Sequence, residues 1–460
     1  MSRTRSLTLA ALALTPLVGR VDAATIDDTI SELRESLTYG KPSLFLRYRY
    51  EHVDQETLAT TRHDGYAATS RVAIGYETKP FHGVSVFGQF EGVFANAKSH
   101  HGGTPASTAA NGRAFHSAIL DPEGSELNQA WVKYAPGYAP RTAVKAGRQE
   151  ISLDNQRFVG PVGWRQNWQS FDAVSLTTSY LENTTFFYAW LDHVHRILGD
   201  DSPVGDIDFD ASHLVNLAYK VPDIGTLTGY AYLVDMDPQP PNVAAQTGFG
   251  NQSTQTFGLR FNGTYKFDAD WSAVYLAEGA KQQDYGDNSL VELDAHYLAG
   301  ELGGGWRGLV LKLGYELLSG EDGTATDEMN TFTTPLATLH AFNGWADMFL
   351  NTPRTGLQDA YISLGGPIPI TVPWFDSFRF AVVYHQYASD ADSIHYGDEM
   401  NYLLEYQVKK LDPNWILGVK YADYTADDGE DAAFPGTTPG AAQPQNVDTR
   451  KLWLYTQYSF

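Results

Sequence analysis

Residues 43–53 read SLFLRYRYEHV. Successive side chains of an extended strand point to opposite faces, so Leu44, Leu46, Tyr48 and Tyr50 share one side and Arg47, Arg49 and Glu51 the other. The same period returns along the chain. Val72, Ile74 and Tyr76 alternate with Arg71 and Glu77. Phe257, Leu259, Phe261 and Tyr265 oppose Arg260, Asn262 and Thr264. Leu309, Leu311, Leu313 and Tyr315 oppose Lys312 and Glu316, and Phe378, Phe380, Val382 and Tyr384 oppose Arg379 and His385. Segments 400–408 and 417–422 repeat it, with Glu399, Glu405 and Lys420 on the polar side. A soluble sandwich hides its apolar faces between two sheets and uses strands of about five or six residues. Here the segments run to about ten residues and finish in Tyr, Trp or Phe, as strands do that cross a membrane between aromatic girdles. The expected fold is all-β: a transmembrane antiparallel up-and-down β-barrel, greasy outside and charged within.

The pattern predicts about 18 strands, near 43–52, 68–79, 83–97, 125–134, 142–149, 171–180, 184–192, 212–220, 225–234, 254–266, 271–281, 290–301, 307–318, 357–364, 375–387, 398–408, 415–424 and 448–460. Short Gly/Pro/Asn/Asp turns alternate with long polar connections at 98–124, 150–170, 193–211, 235–253, 319–356 and 425–447, as a barrel with surface loops at one end and tight periplasmic turns at the other requires. The long loops could equally fold inward and narrow the bore. Arg3 and Arg5 precede a short apolar stretch from Leu7 to Val18 that is too short to span a bilayer, and Val21-Asp22-Ala23 offers a cleavage site. Residues 1–23 therefore read as a signal peptide, 24–42 as a short periplasmic segment and 43–460 as the barrel. The last strand sets Leu452, Leu454, Thr456, Tyr458 and Phe460 on one face. An alternating strand ending in Phe resembles the insertion signal of Gram-negative outer-membrane barrels, which implies the barrel-assembly machinery as a partner and outer-membrane lipid and lipopolysaccharide as surroundings.

An interior of 16–18 strands is too wide for side chains to fill. The polar faces must line it, because an Arg or Lys facing lipid at the midplane costs about 2–4 kcal/mol. The expected inward residues are Arg47, Arg49, Arg71, Arg260, Lys312, Arg379 and Lys420, with Glu51, Glu77, Glu91, Glu316, Glu399 and Glu405. Lys133, Arg148, Lys220 and Lys451, with Glu278 and Asp294, extend the set. The wall is thus near charge balance although the 460-residue chain carries -23, so the acid excess belongs to loops and turns. That net charge argues against a nucleic-acid partner. The absence of cysteine removes disulfides, thiolate metal sites and thiol nucleophiles.

Several stretches resemble the alginate export family of outer-membrane porins. They are Tyr39-Gly40-Lys41-Pro42 leading into Arg47–Asp54, Thr69-Ser70-Arg71 with Gly75-Tyr76-Glu77, Gly147-Arg148-Gln149, Arg157-Phe158-Val159-Gly160, Trp164-Arg165-Gln166, Phe171-Asp172, Gly314-Tyr315-Glu316, His340 and Gly344-Trp345-Ala346-Asp347. The resemblance implies an 18-stranded barrel with a basic constriction for a polyanion. Carried over here, the constriction falls to Arg47, Arg49, Arg71, Arg148, Arg157 and Arg165. Periplasmic export components are implied partners. Glu51, Glu77, Glu91 and Glu316 on the same wall equally suit a passive channel for small solutes or short oligosaccharides. The expectation is a channel without cofactor for hydrophilic, anionic solutes, with anionic or neutral saccharides among them.

An outer-membrane enzyme or a surface adhesin is the competing class. His193 and His195 share a strand face, but no nucleophile motif accompanies them. Such a pair could also hold a metal, although none is expected. Asp206-Ile207-Asp208-Phe209-Asp210 imitates a calcium loop and fails at Ala211 and Leu217, where Gly and Glu are required.

Overall fold

Alternation becomes a closed wall. The computed structural model describes residues 23–55, 63–99, 116–199, 202, 205–237, 253–286, 292–321, 328–329, 331–368, 377–391, 394–409, 411–427 and 447–460. The signal-peptide reading of 1–23 lies almost wholly outside them, as do parts of the long connections. Strands β1 (Lys41–Gln55), β2 (Gly65–Glu77), β3 (Val84–Ser99), β4 (Gly124–Tyr134), β5 (Thr142–Gln149), β6 (Ser170–Thr178), β7 (Thr184–His195), β8 (Asp206–Val221) and β9 (Gly225–Val234) form one half. Strands β10 (Thr254–Lys266), β11 (Trp271–Asp284), β12 (Glu292–Trp306), β13 (Leu309–Leu318), β15 (Leu357–Pro367), β16 (Phe378–Ala388), β17 (His395–Gln407), β18 (Trp415–Ala426) and β19 (Thr449–Ser459) form the other. The two-residue β14 (Glu328–Met329) lies parallel beside β12, outside the ring. Every ring pairing is antiparallel between chain neighbours, and β1 closes on β19 with Arg47 opposite Gln457 and Tyr50 opposite Leu454. Leu44 and Phe460 exchange two backbone hydrogen bonds of 3.0 Å, completing the seam. Among the described residues, eighteen strands thus make a barrel without an edge, which leaves no strand backbone to be satisfied by lipid.

The faces follow the sequence period. Leu46, Tyr48, Ile74, Phe90, Leu259, Leu302, Leu313, Leu404 and Val419 are exposed on the outside, while Arg49, Arg71, Glu91, Arg260, Glu278, Glu316, Glu399 and Lys420 are buried on the inside. In β19, Leu454 and Phe460 face out and Trp453 and Lys451 face in. Segment 24–42 is mostly helical: α1 (Ala23–Thr38) is fixed at the short-turn end, where Tyr76 Oη donates to Leu37 O (2.8 Å), Gly40 N–H donates to Tyr76 Oη (2.7 Å) and Lys79 pairs with Glu35.

The inner wall carries a repeated device. Tyr230 leans across Gly258 to donate to Glu278 (2.9 Å), Tyr361 across Gly314 to Glu301 (2.5 Å), and Tyr455 across Gly418 to Glu405 (2.7 Å). A Cβ on any of these glycines would collide with the ring, so each tyrosine stitches three strands together.

At the long-loop end the bore is filled. Residues 150–169 bring Ile151, Leu153 and Val159 against Phe171, Leu191, Leu214 and Tyr232. Residues 331–356 bring Phe332, Met348 and Phe349 against Tyr297, Tyr387, Tyr424 and Trp453. Much of the barrel's hydrophobic core is therefore the contact between two in-folded loops and the wall, and their burial supplies the free energy that holds them inside.

Candidate functional site: the lumen and its in-folded loops

A loop pushed into a barrel must satisfy its own backbone there, and the wall strands have none to offer because theirs is already paired. Side chains take that role. Arg47 donates from its two terminal nitrogens to the carbonyls of Gly163 (2.9 Å), Trp164 (2.9 Å) and Arg165 (3.2 Å), and also to Gln457. Arg49 reaches Trp164 O and pairs with Asp121, which folds inward from the β3–β4 connection and accepts Gln166 N–H (3.0 Å). Arg49 and Arg165 hold the Asp121 carboxyl below its usual range although burial opposes this. Arg71 pairs with Glu91, donates to Gln166 O (3.0 Å) and stacks 3.8 Å over the Trp168 ring.

The two loops lock onto each other and onto the wall through arginines of the first. Arg157 donates to Glu316 (2.6 Å) on β13 and to Thr334 (3.1 Å) and Asn343 (3.2 Å) on the second loop. Arg165 joins Glu51 on β1 to Asp347 on the second loop, at 3.2 and 3.0 Å. Asp347 also takes Lys451 (3.0 Å) and His340 (2.6 Å), and Glu399 accepts the backbone N–H groups of Trp345 and Ala346. Burial, aided by the Lys420 charge and opposed by Asp347, pushes His340 down to about 3. The neutral ring donates from Nδ1 to Asp347 and accepts at Nε2 from Lys420 Nζ (2.7 Å). Lys420 lies 4.3 Å from the Trp164 ring centroid and 3.9 Å from that of Trp345, with Trp453 beyond. Arg260 pairs with Glu278 across β10 and β11.

Towards the short turns the inner wall is wet. Lys133 pairs with Glu77 (2.5 Å) and Lys312 with Glu301 (2.8 Å), all four partly exposed. Arg379 is exposed on the face it shares with His385 and Tyr387. Trp131, itself buried, carries two ammonium groups over its ring, Lys145 at 4.6 Å and Lys133 at 5.1 Å, and meets Phe87 in a tilted contact with ring centroids 5.2 Å apart. Lys220 lies exposed on the inward face of β8.

Of the expected inward set, Arg47, Arg49, Arg71, Arg157, Arg165, Arg260, Lys312, Arg379, Lys420, Glu51, Glu91 and Glu316 all project into the bore. Arg148 does not. It shares parity with the exposed Val144, so it lies on the outer wall, where it pairs with Asp172 (3.0 Å). Lys145, of opposite parity, takes the inner face. Asp294 is likewise external, paired with Lys281 (3.0 Å). The sequence reading missed Lys145, Trp131 and Asp121. The parity of residue 145 against Val144 could have found the first.

Barrel, wet charged wall and in-folded loops define a porin-type channel of the outer membrane. The family model for alginate export matches residues 43–396, and the chain belongs to that family. No curated protein sequence matches it. Among solved structures, Pseudomonas aeruginosa OpdL superposes with a TM-score of 0.63 at 14% identity, covering 92% of this chain and 99% of that one. Acinetobacter baumannii OccAB3 gives 0.65 at 13%, covering 92% and 100%. Pseudomonas aeruginosa OpdK with vanillate gives 0.62 at 13%, covering 92% and 99%. These likenesses carry the fold; the family is one of export channels, not enzymes.

Proposed function

We propose that the channel passes hydrophilic anions by diffusion, sugar acids and short uronate oligosaccharides foremost, with Arg47, Arg49, Arg71, Arg157 and Arg165 shaping the narrowest level. The observation that carries this reading is the Trp131 site. The buried indole holds two ammonium groups, Lys133 at 5.1 Å and Lys145 at 4.6 Å, side by side on the inner wall, and such a pair suits a carboxylate. Charge supports it further: on the wet wall Lys133, Lys145, Lys220, Lys312 and Arg379 face Glu77, Glu301 and Glu405, and Tyr361 and Tyr455 donate to the last two. In this reading residues 1–23 export the chain, β19 engages the assembly machinery, and lipopolysaccharide surrounds the wall.

The test is a planar bilayer under a salt gradient. A reversal potential of anionic sign, with brief blocks by oligouronate and none by a neutral oligosaccharide of equal length, supports the proposal. Cation selectivity overturns it. Anion selectivity without oligouronate block favours a second reading, a small-solute porin for monoacids. That reading draws on the Glu77 and Glu301 pairs, which offset the charge of two wall lysines, and on the vanillate named with OpdK.

A further inference from the structure

On the outer wall, beyond the last apolar rung of β6–β8, six charged or titratable side chains gather. Val194 and Ile207 point inward and are fully buried, so their neighbours His193, His195, Asp206 and Asp208 project outward. Irregular registers beside Ala173 and between Leu191 and His193 set them just past Trp190, which is exposed on the same face as His213 and Tyr188. The cross-strand rungs are Asp172–His193–Asp208 and Ser170–His195–Asp206.

The two imidazoles are held by their outer nitrogens. His193 Nδ1 bonds Asp208 Oδ1 at 2.7 Å, and His195 Nε2 bonds Asp172 Oδ2 at 3.0 Å. Asp172 is in turn gripped by Arg148, Nε to Oδ1 at 3.0 Å and Nη2 to Oδ2 at 3.3 Å. A carboxylate on the far nitrogen fixes which ring nitrogen carries the proton and raises the basicity of the other, the arrangement found behind metal-bound histidines. The inner nitrogens converge on one oxygen: His195 Nδ1 lies 2.8 Å and His193 Nε2 3.4 Å from Asp206 Oδ1. His193 Nε2 is enclosed and makes no hydrogen bond there. The three ligand atoms all lie within 4.8 Å of one another. Ligands about 2.1 Å from a tetrahedral ion sit roughly 3.4 Å apart, so a small opening of the His195–Asp206 contact admits one.

We propose that His193, His195 and Asp206 bind a divalent transition-metal ion of the zinc class on the outer surface, with water in the fourth position and Asp208, Asp172 and Arg148 as positioning residues. Two nitrogens and one carboxylate select such an ion over calcium or magnesium, which take oxygen ligands. The ion would tie β7 to β8 directly and β6 through Asp172, clipping three strands where the wall leaves the apolar band. The inference is independent of what passes through the lumen.

The test uses the full-length barrel in detergent, without a polyhistidine tag, stripped with chelator and dialysed against Zn²⁺, with heat-modifiable gel mobility as the check on folding. One Zn²⁺ per chain is expected, with a visible Co²⁺ spectrum of tetrahedral type. Affinity should fall by at least about tenfold in D206N and H193A, about tenfold in D208N, and not at all in H213A. Failure of the unmodified protein to retain Zn²⁺ overturns the proposal whatever the variants do. Undiminished binding in folded D206N overturns it as well.

Discussion

Replacing Arg157 with Ala should loosen both in-folded loops at once. Its guanidinium is fully buried and holds three partners on two elements: Glu316 on the wall at 2.6 Å, and Thr334 and Asn343 on the second loop at 3.1 and 3.2 Å. Removing it leaves the Glu316 carboxylate inside, bonded among the described residues by Tyr297 Oη and Asn343 Nδ2. Breaking one side of a buried ion pair costs about 3–5 kcal/mol, because the remaining charge stays desolvated. At 1.4 kcal/mol per factor of ten, the docked-to-undocked ratio of the loops falls by about two to three and a half orders of magnitude. The barrel itself should survive, since no strand pairing depends on Arg157. Planar-bilayer recording should show larger and noisier open-channel steps, and limited proteolysis should cut within 150–169 or 331–356 where the parent resists. R157K keeps the charge without the planar fork and should fall between. If R157A matches the parent in step size, noise and protease resistance, the clamp does not hold the loops.

Three further outcomes follow from the same geometry. A charge about 4 Å from a passing ion is worth about 1 kcal/mol in a water-like medium, so K133Q or K145Q should each lower anion permeability about fivefold and raise cation permeability as much, an anion-over-cation change of up to about thirtyfold read from the reversal potential; an unchanged ratio places the anion path elsewhere. His340 is neutral when docked, with its pKa depressed to about 3, whereas an undocked loop would take up a proton below about 6.5. Its contribution to docking is therefore complete above about pH 6.5 and is lost as pH falls towards 3, about 2 kcal/mol by pH 5, so open-channel noise should rise between pH 7 and 5 in the parent and stay level in H340Q. G418V drives a branched side chain into the Tyr455 ring, and the heat-modifiable folded band should weaken strongly; normal assembly would show that the tyrosine swings aside.

The wall was legible because lipid is a strict solvent. Within the apolar band outward positions must be apolar, so Leu46 against Arg47, or Leu313 against Lys312, announces the face directly. Arg148 was misread because β5 is short and its outward positions offer only Val144 and Ala146 as a signal, while the positive φ of Gly147 (117°) interrupts the strand. The acidic clamp partners were harder still. Asp121 and Asp347 sit in irregular segments, where no period relates a residue to the part of the wall it meets. What the chain does show there is the resemblance in Trp164-Arg165-Gln166 and Gly344-Trp345-Ala346-Asp347, and these residues turn out to interlock the loops with the wall.

The lumen also separates its two cations by task. A carbonyl of an in-folded loop cannot borrow an N–H from a closed barrel, so it needs a side-chain donor, and a planar guanidinium with five N–H groups serves several acceptors from one buried position. Arg47 on three consecutive carbonyls, Arg71 between Gln166 O and Glu91, and Arg157 between three partners are that solution. Lysine is a hydrated point charge and costs more to bury. Accordingly Lys133, Lys145, Lys220 and Lys312 stay on the wet wall, while of the buried lysines Lys420 is enclosed by tryptophan rings and the His340 nitrogen and Lys451 is paired with Asp347. The arginines that resemble an ion-selecting ring are thus largely spent on architecture, with their charge answered by Glu51, Glu91, Asp121 and Glu316. The wall charge that a passing anion can meet is mainly lysine, with Lys133 and Lys312 sharing theirs with Glu77 and Glu301 and Arg379 beside them. Substituting arginines should therefore change the bore's shape and noise first, and substituting wet lysines its selectivity. A clean loss of anion preference in a loop-docked R47Q channel, with no change in noise, would break that division.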